Sequence, residues 1–386
     1  MGEAPSNVPD PSQQSGAWSI GPIVSGTGLR LSASIGLVAS SAERGPSGAQ
    51  VVRESYGPEE LAIVLSHYDV GVIQALQEFR RGSRRAPKLI ISSTEGAFLL
   101  KRRAPGRDDL ERVAMAHAVQ EHLAKRQFPV PALLRRRDTH ATFVRIGGRI
   151  YEMFEFIPGT KYDASLPATT EAGRALALFH KILADFRTDE THFAASYHGA
   201  RQVGEQLVVI GEKLNNTETC AALAALYERA AANANREGLA GWPRQIVHGD
   251  WHPGNTLFRG TRVVAVIDFD GVRPEPRALD VANGALQFSI LMTGQELNDW
   301  PEYLDESRFK RFCRGYDSVE GCVLSTPEVR ALPWLMIEAL IVEAVAPIAA
   351  AGQFAGFDGA AFLSMVRRKT EWMEREAEKL VRLLLE

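Results

Sequence analysis

Cysteine is nearly missing: Cys220, Cys313 and Cys322 are the only three in 386 residues, and none forms a C-x-x-C pair. That excludes a disulfide framework and a cysteine-based zinc site, and it points to free thiols in a reducing, cytoplasmic setting. The sequon Asn215-Asn216-Thr217 is then a chance match. Charge of one sign is missing too. There are 44 basic against 47 acidic residues, a net −3, so no nucleic-acid-binding surface is signalled. Long uncharged runs are absent as well. The most apolar stretch, 331–352, carries Glu338, Glu343, Pro333 and Pro347, whereas a membrane span needs about 20 residues nearly free of charge. It reads as a kinked core helix or a buried helix pair, and no membrane partner is expected. Leu31–Ala42 is too serine-rich for a signal peptide, and Met1-Gly2-Glu3-Ala4-Pro5-Ser6 fits the myristoylation pattern only formally. No G-x-x-x-x-G-K-[ST] and no G-x-S-x-G occurs, which removes a Walker phosphate loop and a nucleophile elbow.

What is present divides unevenly along the chain. Residues 1–55 are rich in Ser, Gly, Pro and Ala; they cannot bury enough surface to offset their ordering entropy and read as a disordered leader. From 56 to 157 the pattern is strand-rich. A helix opens at Pro58-Glu59-Glu60, with acids where the macrodipole favours them. Strands are predicted over Ile73–Phe79, Leu89–Ser92 and Ala97–Lys101, separated by Arg80-Arg81-Gly82-Ser83 and Thr94-Glu95-Gly96. A helix over Asp108–Gln127 ends at Phe128-Pro129-Val130-Pro131, and two strands follow, Ala141–Ile146 and Arg149–Phe156. From 158 to 386 the periodicity is mainly helical, beginning with Thr169–Phe186 behind a cap-like Thr-Thr-Glu. The last helix is predicted as one piece over 359–386. In the middle of this half, Ile246-Val247-His248 and Val263–Phe269 read as a short hairpin with polar residues at its ends.

The chemistry concentrates at that hairpin. Its segments are Val247-His248-Gly249-Asp250-Trp251-His252-Pro253-Gly254-Asn255 and Val266-Ile267-Asp268-Phe269-Asp270. Asp250 and Asn255 share a Gly/Pro-containing loop and Asp268 ends a strand. Carboxylate and amide oxygens so placed are hard ligands that suit Mg²⁺, which takes one or two carboxylates plus phosphate oxygens. The spacing Asp-x-x-x-x-Asn followed by strand-Asp-Phe is that of a protein-kinase catalytic loop and its metal-binding Asp. Trp251, adjacent to Asp250, is the one aromatic expected to line an acceptor pocket.

With these residues in place, the chain resembles the aminoglycoside phosphotransferase/choline kinase-like family, and within it the branch of type II homoserine kinases and the bacterial stress response kinase. The resemblance runs over roughly residues 60–350. It implies an α+β, protein-kinase-like bilobal fold: a small antiparallel-sheet N-lobe that binds nucleotide, a hinge near Glu152–Phe156, and a mainly helical C-lobe carrying the catalytic loop and acceptor site. It implies ATP and Mg²⁺ as cofactors and a small hydroxylated metabolite as acceptor. A protein Ser/Thr acceptor and a catalytically inactive binding module are the alternatives. The implied roles fall on Asp250 as catalytic residue, on Asn255 and Asp268 as metal ligands, and on Lys101 as the grip on the α/β-phosphates. Gly82 and Ser83 would cover the phosphates from the 80–85 loop. Asp280 and His248 would brace the catalytic loop. The helix carboxylate that pairs with the lysine in this fold falls on Glu121, with His117 as the competing occupant of its place.

Overall fold

The computed structural model describes residues 53–80, 84–189, 193, 196–293 and 296–386. Almost all of the leader assigned to 1–55 lies outside the described residues, as do Gly82 and Ser83.

The strand-rich part begins with α1 (Pro58–Leu65), where Glu60 accepts the Gly57 N–H at 3.2 Å. Five strands follow, interrupted by one helix: β1 (Ile73–Glu78), β2 (Lys88–Ser93), β3 (Gly96–Arg102), α2 (Leu110–Lys125), β4 (Val144–Ile146) and β5 (Arg149–Glu155). They form one antiparallel sheet in the order β1-β2-β3-β5-β4. Alternation buries Ile91, Phe98, Leu100, Val144, Tyr151 and Met153 in a small core with Val64 and Tyr68 of the α1 region. The turn between β2 and β3 sets a consequential register. Ser93 lies opposite Gly96 across a Thr94-Glu95 loop, so Lys88 lies opposite Lys101. Directly opposed residues project from the same face of a sheet. The two lysines therefore stand side by side.

The second part is helical. It contains α3 (Leu166–Leu183), α4 (Arg201–Lys213), α5 (Thr217–Arg236), α6 (Arg277–Ser289), α7 (Glu306–Asp317), α8 (Thr326–Ala351), α9 (Gly359–Arg375) and α10 (Ala377–Leu385). Helix α3 starts three residues before the predicted Thr169, because Ser165 is its cap and accepts the Ala168 N–H at 3.3 Å. The predicted single helix 359–386 breaks at Glu376, whose backbone leaves helical geometry (φ −97°, ψ 7°). The apolar stretch with two prolines is one continuous helix, α8, opened by a Ser325/Glu328 capping box. By length and composition it could cross a membrane, yet it packs against α4, α5, α6 and α9.

The predicted hairpin between Ile246–His248 and Val263–Phe269 does not form. The first segment, β6 (Arg244–Val247), pairs with β9 (Arg273–Pro276), while β8 (Arg262–Val266) pairs with β7 (Thr256–Arg259). The tight turn at Gly260 makes β7–β8 the local hairpin, and each ribbon leaves one polar loop at its end. Two ribbons rather than one thus carry the motif residues, which brings the loop after β6 against the loop after β8.

Helices α3 and α7 approach closely enough to exclude any side chain at two positions. A Cβ at Gly173 would lie 2.0 Å from the Phe312 carbonyl oxygen, and one at Gly315 would lie 2.0 Å from that of Thr170. Neither obstacle can rotate away, since both are backbone. Gly315→Ala is therefore expected to destabilise the protein by about 1–3 kcal/mol, the usual range for overpacking. Urea unfolding followed by circular dichroism measures it; an unchanged midpoint would show that α3 and α7 can separate without loss.

Candidate active site

The loop after β6 is held from below by one buried carboxylate. Asp280, in the first turn of α6, accepts the His248 N–H at 2.7 Å and the Gly249 N–H at 2.9 Å. It also accepts His180 Nε2–H at 3.2 Å, and Tyr316 donates its hydroxyl to His180 Nδ1 at 2.8 Å. Burial alone would raise the Asp280 carboxyl, but His180, His248 and these N–H donors outweigh it and hold it below the usual carboxylate range. The loop then turns sharply at Gly249 (φ +75°), where a Cβ would sit 2.3 Å from the Gly271 carbonyl oxygen. Only glycine permits both the positive φ and this approach of the two loops.

Asp250, the next residue, has its side chain 52% exposed. Asn255 donates its amide N–H to the Asp250 backbone oxygen at 3.1 Å and to Oδ2 at 3.0 Å. Those bonds orient the Asn255 side chain so that its oxygen remains as a donor atom for a cation. His252 accepts the Gly254 N–H on Nδ1 at 2.9 Å, which leaves Nε2–H pointing towards Asp250 Oδ2 at 3.6 Å. Desolvation would raise the Asp250 carboxyl; the neighbouring His252 and His248 and the Asn255 bond prevail and hold it below the usual carboxylate range. Asp268 stands exposed at the end of β8 with left-handed backbone (φ 66°, ψ 74°). A non-glycine residue held there costs about 1–3 kcal/mol and is characteristic of functional sites. His248 lies within electrostatic reach of Asp250, Asp268 and Asp280 alike, so the structure brings these acids around one buried ring.

Lys101 projects from β3 with its Nζ 3.8 Å from Glu152 Oε2 and 4.0 Å from Asp270 Oδ2. Arg103 Nη2 bridges the same two acids, at 2.8 Å from each. Glu152, on β5, is fully buried, and His117 Nε2 donates to its Oε1 at 2.7 Å. These contacts correct the assignment of Glu121. Helix α2 presents His117 towards the sheet, and Glu121, one turn on, accepts instead from Arg135 at the surface. The carboxylate facing Lys101 comes from the strand, not from the helix. Trp251 is corrected too: it is fully buried against Phe179 and His248, and so belongs to the core rather than to a pocket wall.

Three participants went unnoticed in the sequence. Glu152 has a visible signal, a charged residue inside the apolar run Ile150-Tyr151-Glu152-Met153-Phe154. Asp270 follows two residues behind Asp268. Lys88 is legible only from the hairpin register; burial and the neighbouring Lys101 lower it to about 8 against the pull of Asp268 and Asp270. Among the described residues no group of three or more His, Cys, Asp and Glu side chains forms a ready metal cage. The donors at hand are the Asn255 amide and the Asp268 carboxylate. That sparse oxygen set fits Mg²⁺, which fills its shell with waters and phosphate oxygens.

The Glu152 cluster generates a prediction with a sign. Burial would raise this carboxyl, but Lys101, Arg103 and His117 hold it far below its usual range. A carboxylate depressed on folding contributes stability above its unfolded pKa of about 4.3 and loses it as pH falls towards the folded value. Glu152→Gln, which takes one of the two acids shared by the buried Lys101 and Arg103, should cost about 1.5–3 kcal/mol at pH 7. The gap to wild type should shrink below about pH 4. Glu121→Gln, at a surface pair, should stay within about 0.5 kcal/mol. Urea titrations at pH 7 and pH 3.5 separate the two, and equal losses would refute the placement of the lysine's partner on β5.

Residues 76–332, well over half of the chain, match the phosphotransferase enzyme family. A homoserine kinase of Afipia carboxidovorans is 27% identical over 287 residues, which cover 72% of this chain and 79% of that protein. Among solved structures, a microcompartment-associated aminopropanol kinase superposes with a TM-score of 0.61 at 17% identity, covering 83% of this chain and 97% of the other. An amicoumacin kinase in complex with AMP-PNP, Ca²⁺ and Ami gives a TM-score of 0.61 at 12% identity, covering 83% and 94%. At such identities these two structures speak for the fold, an α+β kinase-like one with two lobes. The sequence match, laid over the loops, the strand lysine and the buried acids described above, makes this chain a member of the phosphotransferase enzyme family, a kinase that acts on a hydroxyl group.

Proposed function

We propose that the protein transfers the γ-phosphate of ATP, with Mg²⁺, to a hydroxyl group of a small metabolite. The observation that carries this is the bonded Asp250–Asn255 pair set beside Asp268, with Lys101 held on the facing sheet. The homoserine and aminopropanol kinases among the similar proteins support a small acceptor. In this reading the sheet part, 56–157, receives the nucleotide and the helical part, 158–386, receives the acceptor.

Asp250 accepts a hydrogen bond from the acceptor hydroxyl and points its oxygen at the phosphorus. Its low basicity suffices because a loose transition state develops the proton late. His252 and Asn255 fix the carboxylate's direction and keep it ionised. Lys101 is charged throughout: burial alone would lower it, but Asp270, Glu152 and Asp268 raise it above its ordinary value. It is thereby kept as a donor to phosphate oxygens. Lys88 stands beside it with a lowered pKa, a cation that gains from a phosphate neighbour. Asn255 and Asp268 would hold Mg²⁺, whose chemistry here is neutralisation of phosphate charge.

The test is transfer from γ-labelled ATP into a size-fractionated lysate. Asp250→Ala and Asp268→Ala should each lower label in the small-molecule fraction by about 10²-fold or more, as expected for loss of a positioned catalytic group or metal ligand. Label that persists in Asp268→Ala at ordinary Mg²⁺ would overturn the metal assignment, and label in the protein fraction would move the acceptor to Ser/Thr side chains. Because Asp250 titrates below its usual range, kcat/KM should be flat from about pH 5 to pH 7, with any acid limb below about pH 4. A half-point near neutrality would point to a histidine base instead.

A further inference from the structure

Asp268 is kept in its left-handed backbone by its neighbours, since its own side chain caps nothing. A positive φ at a non-glycine residue persists only where the surroundings over-determine it. On the upstream side the Ile267 N–H donates to the Asn255 carbonyl at 3.0 Å, which ties the strand end to the loop after β6. On the downstream side Phe269 is buried against His248 and Phe179, with ring centroids 5.3 and 6.3 Å away. Both of these holds come from the helical part of the chain. The third comes from the sheet. Asp270, two residues past Asp268, has its Oδ1 2.8 Å from Nη2 of the buried Arg103.

Arg103 is itself anchored at three further points, all on the sheet side. Its backbone N–H donates to the Ile150 carbonyl at 2.9 Å, Nη1 donates to the Arg107 carbonyl at 3.0 Å, and Nη2 donates to Glu152 Oε1 at 2.8 Å. A planar guanidinium fixed in this way has no freedom to follow Asp270, so Asp270 follows it. Glu152 in turn faces Lys101. One side chain therefore reaches Lys101 through one acid and the backbone of Asp268 through the other.

We propose that Arg103 is a positioning residue for Asp268: through its ion pair with Asp270 it sets the turn after β8 against the sheet, so that the carboxylate assigned to the metal and Lys101 keep a fixed separation. The role carries a prediction of sign. Taking a cation away from a divalent-metal site strengthens metal binding by simple electrostatics, whereas taking away a clasp weakens it. The inference rests on the phosphotransfer reading above and its metal ligands, and the experiment lets either fail alone.

The full-length protein is titrated with Mn²⁺ at AMP-PNP concentrations that saturate each variant. Water-proton relaxation separates Mn²⁺ on the slowly tumbling protein from Mn²⁺ on free nucleotide. Arg103→Gln should raise the Mn²⁺ dissociation constant by about 10-fold, the lower end for groups that support a metal ligand. Arg103→Lys, which keeps the charge but not the fork, should recover part of that loss. Asp270→Asn should weaken binding by a similar factor, and adding Arg103→Gln to it should bring no further loss, because the two side chains act as one unit. Binding in Arg103→Gln as tight as wild type or tighter would overturn the clasp, and so would full additivity of the two losses in the double variant. If Arg103→Gln does not fold, Arg103→Lys carries the test, and wild-type affinity there overturns the clasp equally. A wild type that binds no Mn²⁺ with AMP-PNP, or binds it just as well after Asp268→Ala, would instead bring down the metal assignment and this inference with it.

Discussion

The arrangement depends on one carboxylate that never meets a substrate. Asp280 gathers two consecutive backbone N–H groups of the loop after β6 and a buried histidine, and through Tyr316 it reaches α7. A loop with a positive-φ glycine and an exposed acid at its tip has no reason of its own to hold one shape. Here its orphan donors are satisfied from the interior, by a group that stays ionised because those same donors surround it. Remove the carboxylate and two buried N–H groups and an imidazole lose their acceptor together, and Asp250 no longer has a fixed direction.

Charge on the facing side is organised differently. Glu152 is fully buried and shared by Lys101, Arg103 and His117, with Asp270 closing the circle. Such a cluster is poor evidence for stability as such, because desolvation consumes most of the attraction. Its value is positional. Two cations and a histidine pull on one acid from three directions, so Lys101 is set by the rigid strand beneath it. A second lysine directly across the β2–β3 ladder doubles the positive charge of the same face.

Much of this was legible in the linear chain, and the failures have identifiable causes. The loop residues Asp250 and Asn255 and the strand-end Asp268 stand out because hard oxygen donors rarely recur at that spacing without purpose, and the strands of the sheet stand out by alternation. The pairing of β6 with β9 was not legible: β7 and β8 are short, and the apolar segments on either side look like partners when the turn at Gly260 is overlooked. Glu121 illustrates how a helix register misleads, since His117 and Glu121 lie on one face, one turn apart, and only the packing of α2 against β5 decides which reaches the sheet. Trp251 was drawn towards the site by adjacency to Asp250, but neighbours in a tight loop point in opposite directions. Lys88 is legible by register: a two-residue loop at Thr94-Glu95 counts back to set it against Lys101.

The strand origin of the lysine's partner also bears on control. In protein kinases the partner is a helix glutamate, and displacement of that helix breaks the ion pair and disarms the enzyme. Here α2 contributes only a neutral-capable ring to the far oxygen of Glu152. If α2 swung away, Lys101 would keep both acids, one carried by β5 and one by the loop after β8. The lever by which a regulator could silence such a kinase through its N-terminal helix has been removed. The hold on Lys101 is thus built into the sheet and the loop after β8, and a shift of α2 leaves it in place.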